Sequence, residues 1–211
     1  RIYLYSGIRR VDFETSFENS IKDHRLQVDF FYPALSDYIF AESAFDLVKR
    51  KIEKESPASP SASDDIFRLL FGREGRYATS PIQNFACLEG KDLGMILAGR
   101  GLKEISAEKD QAMNRTRVSF TLCRSIGYLA RPDLVFRNGL AGPPLEVPEA
   151  QSLRKFKFCY SLIFFTGSVE TASVFSRAYQ FVFPPLVFPG ESQVRLPFKM
   201  RSSKIILSAF Y

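Results

Sequence analysis

His24 is the only histidine in the 211 residues, and it limits the available chemistry at once. A Ser-His-Asp arrangement would have to run through it, and no G-x-S-x-G elbow presents a serine. A zinc site built from carboxylates and a single imidazole is unusual for that metal. His24 is therefore expected to pack, or to support a neighbour, and not to act as a base. The 23 acidic residues could supply the paired carboxylates of glycoside hydrolysis. Their separation is a property of the fold, and no pair stands in a context that marks it. Gly72-Arg73-Glu74-Gly75-Arg76 and Gly99-Arg100-Gly101 read as turns, the second as a hairpin turn, because no phosphate-loop Lys-Ser or Lys-Thr follows. Cys87, Cys123 and Cys159 are odd in number, widely spaced and without a C-x-x-C pair. They read as buried free thiols of a reducing compartment, which favours a cytoplasmic protein. What remains is Asn19, Asp23, His24 and Arg25, four polar residues gathered at one turn, able to lock it, to meet a partner domain or to touch a ligand. No catalytic residue and no metal ligand is assigned.

Those four residues lie between two strand patterns. Val11, Phe13, Thr15 and Phe17 alternate with Asp12, Glu14, Ser16 and Glu18, the period of a half-buried strand. Asn19-Ser20 offers a turn, and Leu26, Val28 and Phe30 then alternate with Arg25, Gln27 and Asp29. Together the two runs predict an antiparallel hairpin. Val118, Phe120 and Leu122 predict a further strand, as do Phe156, Phe158, Tyr160 and Leu162. Shorter strand-like pieces fall at 95–98, 179–183 and 204–207. A short helix is expected over 169–179, with Ala172, Phe175 and Tyr179 on one side. Residues 131–148 are rich in Gly and Pro and read as a long irregular loop. Residues 53–65 hold no large apolar side chain and cannot bury enough surface to offset their ordering entropy, so they read as a disordered Ser/Pro-rich loop within a single domain spanning 1–211. Many strands, Gly/Pro loops and little helix predict an all-β fold, a large antiparallel β-sandwich.

With 21 Phe and 9 Tyr the chain has ample material for such a core. The net charge of +6 invites a nucleic-acid reading, but Lys and Arg are scattered, and the densest cluster is only Lys49-Arg50-Lys51, so no nucleic-acid partner is expected. No stretch reaches 18 uncharged apolar residues, so no membrane span is expected either. Arg1-Ile2-Tyr3-Leu4-Tyr5 resembles neither a signal peptide nor a start, and the chain is expected to begin inside a longer protein.

Several stretches in order resemble one family. Val11-Asp12-Phe13-Glu14-Thr15, Asn19 and Lys22-Asp23-His24-Arg25-Leu26 come first. Gly94, Gly101-Leu102 and Glu104 follow. The most specific is Thr121-Leu122-Cys123-Arg124-Ser125-Ile126-Gly127-Tyr128-Leu129, continued by Arg131, Asp133-Leu134, Arg137, Ala141-Gly142-Pro143 and Pro148-Glu149-Ala150-Gln151. The set resembles the β-sandwich region of glycoside hydrolase family 38 α-mannosidases. That resemblance implies a galactose-mutarotase-like supersandwich, following a catalytic barrel that this chain lacks. It implies a retaining α-mannosidase as the parent, with zinc and the carboxyls of hydrolysis in the barrel and no cofactor in this chain. The expected partners are the barrel and α-mannosides, and the expected role is to support the barrel and flank the sugar cleft. Gly101-Leu102-Lys103-Glu104-Ile105 departs from the family's Gly-Leu-Pro-Glu-Tyr, and Val169 replaces an expected Trp, which bears on specificity. From the residues alone, a stand-alone carbohydrate-binding module or a structural interaction domain stays open.

Overall fold

Apolar side chains recur at every second position along most of this chain, and strands are the result. The computed structural model describes residues 1–56, 73–74 and 76–184. Its strands are β1 (Ile2–Leu4), β2 (Arg10–Glu18), β3 (Arg25–Tyr32), β4 (Tyr38–Glu42), β5 (Leu47–Lys51), β6 (Arg73–Glu74) and β7 (Thr79–Pro81). Then come β8 (Phe85–Leu88), β9 (Gly94–Gly99), β10 (Glu104–Asp110), β11 (Arg115–Arg124), β12 (Asp133–Leu134), β13 (Arg137–Asn138) and β14 (Lys155–Phe165). A 3-10 turn (Pro148–Gln151) and one α-helix, α1 (Val174–Val182), complete the described elements.

Two antiparallel sheets face each other as a β-sandwich. The larger has the order β1-β2-β14-β9-β8-β4-β5 and the smaller β3-β11-β10-β7, while β12, β13 and β6 form a small separate ribbon. Between the sheets lies the main core, with Leu88, Leu97, Ile105, Val118 and Phe120 almost fully buried. The β2 alternation holds there: the Phe13 ring meets Phe30 at 5.5 Å and Tyr160 at 5.4 Å. A second core lies on the other face of the larger sheet, where Phe85, Cys87, Ile96, Ile163 and Phe165 pack under Val174, Ala178 and Phe181 of α1. Strands β8 and β9 are thus covered on both faces and are buried at every residue, which is why they read as apolar runs without alternation.

Five expectations are corrected. β2 and β3 are not a hairpin: β2 pairs with β1 and β14, β3 pairs with β11, and residues 19–24 carry the chain from one sheet to the other. The turn at Gly99-Arg100-Gly101 does the same between β9 and β10. The expected helix over 169–179 starts only at Val174 and runs to Val182, because Ser168–Thr171 is closed as a turn and Ser173 sits in the left-handed region. Residues 179–182 are accordingly helical and not a strand. Within the expected loop at 131–148, β12 and β13 pair as two-residue strands. Of the Ser/Pro-rich stretch, 57–65 lies outside the described residues, as do 204–207 and both glycines of Gly72-Arg73-Glu74-Gly75-Arg76. No described helix is long and apolar enough to cross a membrane.

Candidate functional site

The passage between sheets is made by a corner with few apolar residues, so its backbone needs polar partners. Asn19 supplies several of them and is itself 5% exposed. Its amide Nδ2 donates to Ser125 Oγ at 3.1 Å, to the Gln151 carbonyl at 3.0 Å and to the Ser152 carbonyl at 3.1 Å. Its Oδ1 accepts the Ile21 N–H at 3.2 Å, and its own N–H reaches the Arg154 carbonyl at 2.9 Å. Asp23 turns the chain with φ of 51°, a conformation that Asp tolerates better than most residues. A reciprocal pair holds it there: Asp23 N–H donates to Gln151 Oε1, and Gln151 Nε2 donates to Asp23 Oδ1, both at 2.8 Å. Gly127 closes over this pair, since a Cβ there would lie 2.9 Å from Gln151 Nε2.

The three-residue step from Asp23 to Arg25 then faces an open pocket of about 290 Å³. Asp23, His24 and Arg25 line it with Arg124, Tyr128 and Arg131. Asn19 does not line it and lies beneath, as the fastener of the corner. His24 keeps its backbone carbonyl on the Ser125 N–H at 2.8 Å, while its Nδ1 is buried without a hydrogen-bond partner. Arg25 and Arg124 sit directly opposite each other on β3 and β11. A register shift between Thr121 and Cys123 brings Arg124 onto that face: an extra residue in one strand moves the following side chains to the other side. On the far rim Arg131 donates to both oxygens of Asp133 at 2.9 and 2.5 Å, and Tyr128 Oη donates to Glu146 at 3.1 Å. These bonds hold the Asp133 carboxyl below its usual range and push the Tyr128 phenol and the Arg131 guanidinium up.

Sequence reasoning gathered Asn19, Asp23, His24 and Arg25 at a hairpin; in the structure Asn19, Asp23 and His24 lie on the connection between the two sheets and Arg25 opens β3. That reasoning missed Gln151, the residue on which the connection hangs, 128 positions away. The only signal was that Ser125, Gly127 and Gln151 stand in the most family-like stretches. Among the described residues no three His, Cys, Asp or Glu side chains come together as a metal ion would require.

No protein-family model matches the chain. A Halalkalibacterium halodurans protein named for mannosylglycerate hydrolysis is 23% identical over 191 residues, which are 90% of this chain and 18% of that protein. Two crystal structures from Enterococcus faecalis share the fold at 22% identity: a protein in glycosyl hydrolase family 38 with a TM-score of 0.65, and an α-mannosidase with a TM-score of 0.63. Each alignment covers 87% of this chain but only 18% and 17% of the two larger chains. The chain spans about a fifth of the length of the proteins it resembles, and it is a distant match to one region of glycoside hydrolase family 38 proteins.

Proposed function

We propose that this chain is the non-catalytic β-sandwich region of a larger retaining, zinc-dependent α-mannosidase that hydrolyses terminal α-mannosides. Its role is to support the catalytic barrel and flank the sugar cleft through the corner at residues 19–25. The observation that carries this reading is the corner itself. A buried amide network fixes it, yet its rim leaves Tyr128, Leu129 and Leu134 exposed, with Ile21, Leu145 and Leu153 exposed on the same connections. Apolar side chains left in water around a rigid polar pocket are what a docking surface offers. In this reading no step of hydrolysis falls to this chain; the carboxyls and the zinc belong to the rest of the protein. A cytoplasmic location is part of the proposal. It is supported by three unpaired thiols, of which Cys87 is driven by burial up to about 12.

Immunoprecipitation from the source cells tests this. An antibody to the chain is expected to deplete p-nitrophenyl α-mannoside hydrolysis from the extract and recover it in the precipitate, with loss on zinc chelation. A precipitate without that activity, while the extract keeps it, contradicts the proposal.

A further inference from the structure

We propose that Arg25 and Arg124 form a binding site for an oxyanion, a carboxylate or phosphate group, at the mouth of the corner pocket. The two guanidinium-bearing residues are direct cross-strand partners, an arrangement in which like charges repel. The register shift in β11 is what puts Arg124 there, so the chain departs from regular pairing to create the juxtaposition. Only one carboxylate answers it. Glu104 lies 3.9 Å from Arg25 and 3.8 Å from Arg124, beyond hydrogen-bond distance of both, and its Oε1 accepts the Thr121 hydroxyl at 2.6 Å. Among the described residues Glu104 is the only charged partner of either arginine. Each planar fork therefore keeps donors free for an oxyanion, the geometry it binds best.

The neighbouring charges do not cancel this. Arg131 is satisfied by Asp133, and Asp23, which keeps its charge on the pocket wall, forms no ion pair with either arginine and has its Oδ1 held by Gln151. His24, the residue before Arg25, adds a buried Nδ1 that has no partner. A contrast lies on the same sheet, in the pocket lined by Asp29, Glu108, Asp110, Arg115 and Arg117. There Arg117 lies 2.8 Å from Glu108 and Arg115 lies 2.9 Å from Asp110, so the charges are spent on one another. The corner is where they are not. The site stands on the chain itself; the source of the anion, a charged substituent of a sugar or an acidic side chain of a docked neighbour, rests on the α-mannosidase reading.

The test is a titration of the 211-residue chain with inorganic phosphate at low salt, followed by NMR of the arginine Nε–H groups. Arg25 and Arg124 are expected to shift together and saturate, with weaker binding as salt is added. R25Q and R124Q are each expected to weaken phosphate roughly tenfold or more, as the loss of a charge-assisted contact should. E104Q keeps an acceptor for Thr121 but removes the competing charge, and is expected to tighten binding. Shifts that do not saturate, or equal affinity in all three variants, would overturn the site. Mannose 6-phosphate binding far more tightly than phosphate would assign the anion to a sugar. Equal affinity of the two would assign it to a neighbour's acidic side chain. Both results support the site, and neither depends on the size of the parent protein.

Discussion

The contact between Gln151 and Asp23 decides how the candidate residues are presented. Gln151 is nearly buried and meets both the N–H and the carboxylate of a residue held at positive φ. Asp23 itself is exposed and can turn to water when Gln151 is removed, so what is lost is the net value of the two bonds and not a full desolvation penalty. Gln151→Ala is therefore expected to lower stability by about 1–2 kcal/mol, read from urea denaturation. A change within error of zero would contradict this account of the corner. Four of the residues at this corner were legible in the sequence because they are polar, close together and flanked by strand patterns. Gln151 was not, because a hydrogen bond across 128 positions leaves no local trace.

At the scale of elements, the strands were the most legible feature and their partners the least. Alternation in 11–18 and 25–30 states that each strand has one buried face, and Phe13, Phe17, Val28 and Phe30 do pack against the core. Asp12 departs from it, buried on the other face with Arg10 and Ser161, and so does Leu26, which is exposed. In a sandwich the two inner faces carry the same pattern, so alternation cannot say which sheet a strand joins. The hairpin expectation for 11–30 fails on that ambiguity. The helix was legible as amphipathic, but its limits are set by tertiary contacts. The Arg100 guanidinium donates twice to the Phe181 carbonyl, at 3.0 and 2.7 Å, and the Tyr179 hydroxyl donates to the buried Glu42 carboxylate on β4. Tyr179→Phe removes a donor from a buried carboxylate and is expected to cost about 1–3 kcal/mol, measured by thermal or urea unfolding. Burial and the Glu42 bond together push the Tyr179 phenol well up. A raised folded value gives stability that is complete below the ordinary phenol range near 10 and is lost as pH rises above it. Y179F should weaken that alkaline loss, and an unchanged alkaline limb would argue against the helix-to-sheet tie.

Over the whole molecule, acid stability follows from surface pairs spread across both sheets and the site loop. Lys157 holds Glu14 below its usual range, Lys109 does so for Asp37, Arg115 for Asp110 and Arg131 for Asp133. For a depressed carboxyl the unfolded chain binds more protons, so the stabilisation is present above the ordinary value near 4 and disappears as pH falls through the folded value. The melting temperature is expected to stay level from pH 7 to about 5 and to fall below about 4. Asp37 and Asp133 are solvent-exposed and Glu14 and Asp110 partly so, so the fall should be gradual and should shrink in high salt. A melting temperature that rises on acidification would contradict these assignments. The central claim, however, concerns what surrounds the chain, and the size of the native protein tests it most directly. An immunoblot of source cells with antibody to this chain should show a band several times heavier than 24.0 kDa. A single band at 24.0 kDa would contradict it, and carbohydrate binding by the chain alone would become the question.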